Sequence, residues 1–251
     1  MNILLTNDDG VDSEGIRKLA ELLRSKGKYN VTVLAPDSNR SGVSHAVSIL
    51  NGPVKLIKLS DDTWSCSGFP ADCVIAAILG ALPVKPDLVL SGINRGENLG
   101  TDIIFSGTAA GARQASLAGI PAIALSLAGS AVFHWDMAAS WVVDHLEELI
   151  ALWKKDSFVN VNIPNNPKGP DGMRMAWPAK KGYQDELTVM DAPDGSRWCF
   201  LGGDPKPLIP QADSDCDVVS RNCVSVTSVY NYPVGNLAFD EARRGFPVGK
   251  E

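Results

Sequence analysis

The chain has 251 residues, of which 45% are apolar and 21% charged, and its 23 basic against 29 acidic side chains leave a net charge of −6. An acidic chain of ordinary globular composition with no basic block has neither a nucleic-acid polymer nor an anionic membrane as its default partner, and no apolar stretch reaches the ~18 residues of a membrane span. The five cysteines (Cys66, Cys73, Cys199, Cys216, Cys223) are scattered and lack a CxxC pair, and the N-terminus shows no basic targeting region. Reduced thiols and a cytoplasmic location are therefore expected, rather than disulfides or a zinc site.

Asn2–Thr6 reads as a buried strand that runs into "NDDG". Ser13 is placed to cap a helix whose apolar residues Ile16, Leu19, Ala20 and Leu23 fall at helical spacing, with Gly27 as its stop. Val31–Ala35 is a second buried strand, followed by the polar loop Pro36–Ser44. Val47–Leu50 and Val54–Leu59 flank Asn51-Gly52 and predict an antiparallel excursion. A helix is expected over Ala71–Leu82, behind Pro70. Asp87–Leu90 is the third strand, and the Gly/Asn loop "SGINRGENLGTDIIFSGT" follows it. Ala109–Leu117 is a small-residue helix, Ala122–Leu127 a fourth strand, Asp136–Leu152 one amphipathic helix and Phe158–Asn162 a fifth strand.

This alternation predicts an α/β fold with a mostly parallel sheet covered on both faces. Ten of the 16 prolines lie after Ile163. Residues 1–163 therefore read as the core of a single domain, and 164–251 as an extension of loops and hairpins with strand pieces at Trp198–Leu201 and Val224–Val229. In parallel sheets ligands bind at the carboxyl ends of strands, near a switch in strand order. Three polar loops sit at such ends, and they meet if their strands are neighbours.

Asp8 and Asp9 are adjacent acids at the end of an apolar run. Side chains alternate along a strand, so both reach one ligand where Gly10 breaks the strand into a loop. A divalent cation would relieve their repulsion, and hard oxygen ligands suit Mg²⁺, Mn²⁺ or Ca²⁺. The competing reading makes one acid a helix cap and leaves the other solvated. The second loop, "DSNRSGVSH", supplies the hydroxyl of Ser41 together with Arg40 and His45, the last read more readily as a hydrogen-bonded loop residue than as a catalyst. The third loop offers the amides of Asn94 and Asn98, and Ser106-Gly107-Thr108 opens a helix whose free N–H groups suit an anion. There is no HExxH, GxSxG or Walker A motif. Acidic and neutral oxygen ligands beside an anion cradle point to metal-assisted transfer or hydrolysis of a phosphate ester.

In that order, "LLTNDDG", "APDSNRSGVS", "PDLVLSGINRGENLG", "SGTAAGA" and "GIPAIALSL" resemble the survival protein SurE family of metal-dependent 5'(3')-nucleotidases. "FVNVNIP" and "DSDCDVVSRNCVSVTSV" carry the resemblance on to about Val229. It implies a Rossmann-like three-layer sandwich, and one Mg²⁺ or Mn²⁺ per subunit held by Asp8, Asp9, Ser41 and Asn94. Asn98, Ser106, Gly107 and Thr108 would face the substrate phosphate. The implied reaction is hydrolysis of nucleoside 5'- and 3'-monophosphates, with short polyphosphate left open as a further substrate. Asp8 and Asp9 are then catalytic as well as ligands, one of them orienting the attacking water or taking its proton. A homodimer or homotetramer joined through the C-terminal segment is implied too. The chain departs from the family at Gly68-Phe69-Pro70, where Gly-Thr-Pro is usual, and at "SVTSVYNYP"; residues 176–210 do not align with it.

Two other classes compete. A receiver-like switch needs an aspartate at the end of its third strand, where this chain has Leu90-Ser91-Gly92. A nucleotide-binding module without catalysis would use the same Gly/Asn loop but has little use for two adjacent acids.

Overall fold

The computed structural model describes residues 1–129, 131–207 and 211–233. The end of the predicted extension, residues 234–251, lies outside the described residues. In chain order the elements are β1 (Asn2–Thr6), α1 (Glu14–Ser25), β2 (Asn30–Pro36), β3 (Leu56–Ser60), β4 (Thr63–Cys66), α2 (Pro70–Ile78), β5 (Leu88–Arg95) and α3 (Gly107–Leu117). They continue with β6 (Ala122–Leu127), α4 (Trp135–Asp144), α5 (Leu146–Leu152), β7 (Ser157–Ile163), β8 (Met173–Met175), β9 (Lys181–Asp191), β10 (Arg197–Pro207), α6 (Asp215–Ser220) and β11 (Val224–Tyr230).

Nine strands form one sheet in the order β3-β4-β2-β1-β5-β6-β7-β11-β8. Its pairs are parallel except β3 with β4 and β7 with β11. The two faces are covered separately. Ile3 and Leu5 of β1 pack with residues of α1, α4 and α5, whereas Leu4 packs with residues of α2 and α3. That two-sided burial is why β1 is a continuous apolar run rather than an alternating one. On α1, Ile16, Leu19, Ala20 and Leu23 face the sheet, and each of the larger three contributes about 1.5–3 kcal/mol by leaving water. Gly15 lets α1 lie against β5, because a Cβ there would stand 2.0 Å from the Ile93 carbonyl oxygen.

Four expectations change. The hairpin beside β2 turns at Asp61-Asp62 between β3 and β4, not at Asn51-Gly52. The segment before it is held elsewhere: Ser48 N–H, Ser48 Oγ and Ile49 N–H all donate to the buried Asp72 carboxylate at the start of α2. Helix α2 stops at Ile78 rather than Leu82, because Gly80 turns the chain at φ +96°. Strand β5 runs through to Arg95, so "SGIN" lies on the strand, with a register irregularity between Ser91 and Asn94. The predicted Asp136–Leu152 helix is two helices, parted at His145, whose backbone N–H and ring Nδ1 both contact the Trp141 carbonyl oxygen. Beyond residue 163, β8 and β11 join the main sheet, while β9 and β10 form a separate two-stranded ribbon.

Candidate active site

β1 lies between β2 and β5, so the loops that leave these three strands meet at one edge of the sheet. The loop after β1 is closed by Asn7, a fully buried residue. Its Nδ2 donates to the Gly10 carbonyl (2.9 Å) and to Ser13 Oγ (2.7 Å), and its Oδ1 accepts from the Gly10 N–H (3.2 Å). Ser13 starts α1 as expected, but its hydroxyl serves this clamp and makes no side-chain cap. Asp8 and Asp9 are thereby taken out of strand alternation and held inside the loop.

Asp8 is 3% exposed and sits at the start of α3. Its Oδ2 accepts from the Thr108 N–H (3.0 Å) and its Oδ1 from the Thr108 hydroxyl. The carboxylate thus occupies a helix N-terminus, where free N–H groups and the helix dipole favour negative charge. Even so, burial dominates and pushes the Asp8 carboxyl up to about 6, with the Thr108 hydroxyl pulling down and the Asp9 charge adding to the rise. Asp9 is half-buried. Its Oδ2 accepts from the Arg95 N–H (2.9 Å), and burial raises its pKa against that bond.

Three contacts draw the remaining loops to this pair. The Arg95 N–H on Asp9 adjoins Asn94. The Arg40 N–H donates to the Asp8 carbonyl (2.6 Å) and adjoins Ser41. Thr108 follows Ser106 and Gly107. The second loop is further tied down where Ser44 N–H and Oγ donate to the carbonyls of Phe105 and Ile104. Asn94 is nearly buried, and its Nδ2 donates to the Gly96 carbonyl (2.9 Å), which leaves Oδ1 for a ligand. Ser41 is exposed.

The four residues expected to face a phosphate do not share one set of contacts. Ser106 Oγ caps α3 by accepting from the Ala109 N–H (3.0 Å). Both donors of Thr108 are on Asp8, so Thr108 positions a carboxylate. Asn98 lies further along the sheet edge. Its Nδ2 donates to Ser126 Oγ (2.9 Å), its N–H to Asn162 Oδ1 (2.8 Å), and its carbonyl accepts from Asn160 and Asn162. Its hydrogen bonds among the described residues include none to Asp8 or Asp9. His45 bonds Gln114 of α3 (2.9 Å), and burial lowers its pKa.

The sequence reading passed over Asn7, Asn160 and Asn162. The signal for the last two was the Asn-x-Asn alternation in "FVNVNIP", which puts two amides on one face of a fully buried strand.

The donor set fits a hard divalent cation. Two carboxylates held together while partly or wholly buried repel each other unless a cation joins them, and Asn94 adds a neutral oxygen. Among the described residues there is no cluster of three His, Cys, Asp or Glu of the kind zinc favours.

The chain is similar to known proteins over most of its length. The family model for survival protein SurE matches residues 3–185. A protein from Thermosipho africanus named 5'-nucleotidase SurE is 39% identical over 235 residues, covering 91% of each chain. One of the same name from Acinetobacter baumannii strain SDF is 38% identical over 241 residues, covering 91% of this chain and 93% of the relative. The crystal structure of SurE protein from Aquifex aeolicus superposes with a TM-score of 0.84 at 33% identity, over 97% of this chain and 99% of that one.

Proposed function

The chain belongs to the survival protein SurE family, and from that membership and the site we propose a 5'-nucleotidase whose cation is held by Asp8, Asp9, Ser41 and Asn94. The enzyme is a phosphoric monoester hydrolase that converts nucleoside monophosphates to nucleoside and phosphate. The observation that carries the site assignment is the placement of Asp8: an aspartate almost fully buried, its carboxyl pushed up to about 6, bonded to the start of α3 and flanked by Asp9.

A divalent cation in this oxygen set would neutralise phosphoryl charge and lower the pKa of a bound water. The chain's own residues do the rest. Thr108 fixes both oxygens of Asp8, so the carboxylate meets its ligand in one orientation. The Arg95 N–H fixes one oxygen of Asp9 and leaves the other to orient water or accept its proton. The Gly107 N–H, which no helical carbonyl can reach, and the Ser106 segment face the phosphate at the helix start.

The test is phosphate release from each nucleoside 5'- and 3'-monophosphate and from short polyphosphate, with Mg²⁺, Mn²⁺ or chelator. Turnover of 5'-monophosphates with Mg²⁺ or Mn²⁺, lost on chelation and restored by the ion, is the expected result. Full turnover in chelator, or none with any cation, would overturn the assignment.

The ribbon β9–β10 supports a homo-oligomer. Two-stranded ribbons are marginal in water, yet this one pairs eleven residues with eleven and exposes Leu187, Met190, Trp198, Phe200 and Leu201. A second copy of the chain would cover that apolar surface. Light scattering should give a mass of two or four times 26.7 kDa, and Trp198→Glu with Leu201→Glu should bring it down to the single-chain value. A monomeric wild-type protein would exclude this role for the ribbon.

A further inference from the structure

A cavity of about 530 Å³ opens directly from Asp9, bordered by Asn39, Glu14, Arg95, Phe133 and Trp135. A second of about 510 Å³, lined by α1 residues including Arg17, Glu21 and Arg24, does not include either aspartate. The first has a built wall. The Phe133 and Trp135 rings stack with centroids 5.2 Å apart and 14° between planes. Trp135 is almost buried, and its Nε1–H donates to Glu14 Oε2 (3.0 Å), which fixes the indole behind the half-buried Phe133. The Arg95 guanidinium lies 5.0 Å from the Phe133 ring centre. It is exposed and enters no ion pair among the described residues. A flat cation on an aromatic ring is a surface on which a further flat ring stacks favourably.

The geometry points to this cavity as the nucleobase subsite. The inference rests on the nucleotidase reading, because it is the phosphate at Asp8 and Asp9 that delivers the rest of the substrate to the Arg95 side. The base of the nucleoside monophosphate stacks on the Arg95–Phe133 pair with Trp135 as its backing. Asn39, whose Oδ1 is engaged by the Ser41 N–H (2.8 Å), keeps its amide N–H groups for the sugar or base edge. Recognition of this kind reads a π-face rather than a hydrogen-bond pattern. It therefore accepts all the common bases and favours the larger overlap of purines.

The test compares AMP with ribose 5-phosphate, which carries the same ester without a base. Phe133→Leu keeps apolar volume while removing the ring, and Phe133→Tyr keeps the ring. Phe133→Leu should raise KM for AMP by about tenfold, on the scale of one lost stacking contact, and leave kcat/KM for ribose 5-phosphate within about twofold, whereas Phe133→Tyr should match wild type on both. Equal losses on both substrates, or an unchanged KM for AMP in Phe133→Leu, overturn the subsite. If the wild-type protein hydrolyses neither ester, the nucleotidase reading fails instead. Saturation-transfer NMR with adenosine then decides the subsite separately: transfer to the adenine protons in wild type, lost in Phe133→Leu, upholds it, and transfer that is absent in wild type or equal in the two proteins sinks it.

Discussion

Asp8→Asn should cut phosphate release on the order of 10³-fold while making the metal-free protein more stable. With Asp8 as a ligand of the proposed cation site, the loss of activity follows from removing a charge that would organise the cation and the transition-state charge around it. The gain in stability follows from burial. Asp8 is held at about 6 in the folded protein, above the ordinary carboxylate value near 3.9 of the unfolded chain. Between those values the folded state keeps a proton that the unfolded state has released. Stability contributed by this group is therefore complete at acid pH and falls as pH rises through about 4 to 6. At pH 8 the full penalty is present, on the order of 2–3 kcal/mol. An asparagine does not titrate, and it can still accept from the Thr108 N–H and donate to the Thr108 hydroxyl oxygen. Urea unfolding in chelator should show Asp8→Asn more stable than wild type, by more at pH 8 than at pH 5. Mn²⁺ should raise the melting temperature of wild type, by mass action on the folded state, and leave the variant unmoved. Equal stability of the two proteins across that pH range would refute the assignment of strain to Asp8; retained turnover would refute its role.

Gly107→Ala should lower kcat/KM by about 100-fold although it adds a single methyl group outside the ligand set. A Cβ at Gly107 would stand 2.8 Å from Asp8 Cβ and 2.9 Å from Asp8 Oδ2, closer than packed atoms approach. Either the carboxylate shifts or the first turn of α3 does, and both break the bond from the Thr108 N–H. The cost to folding should be smaller, about 1–3 kcal/mol for an overpacked buried contact. The half-saturating Mn²⁺ concentration is the sensitive readout, because the displaced group is a proposed ligand of the cation. Gly52→Ala is the control: a Cβ there meets open space at an ordinary φ, and activity and stability should both stay at the wild-type level. A Gly107→Ala protein with wild-type cation affinity and turnover would show that the fit of Asp8 against the helix start is not needed.

Much of this was legible along the chain. Ile3, Leu4 and Leu5 form an apolar run that a strand buried on one face would not carry. The helical spacing of Ile16, Leu19, Ala20 and Leu23 matched the side of α1 that packs on the sheet. Where the reading erred, a tertiary contact overrode a local signal. Asn51-Gly52 is a good hairpin turn, but the Asp72 carboxylate captures Ser48 and Ile49 and the strand pairing moves to Asp61-Asp62. The periodicity of Asp136–Leu152 continues across His145, and a pattern of that kind does not register a break between two helices that share one face.

The site divides in the same way. Adjacent acids after a buried strand, a Gly/Asn loop and a Ser-Gly-Thr helix start name a class of chemistry, because residue type alone decides which atoms can bind a cation or a phosphate. That much the order of residues determined. Which donor serves which acceptor is a matter of distance between segments about 100 residues apart, and only the folded sheet decides it. Strand order sets β1 between β2 and β5 and so brings Arg40, Arg95 and Thr108 onto Asp8 and Asp9. Burial, not sequence neighbourhood, then raises the Asp8 carboxyl, and the close pass of Asp8 over the first turn of α3 excludes a side chain at Gly107. The extent of burial and the approach of one segment to another are properties of packing, so they came into view with the tertiary structure.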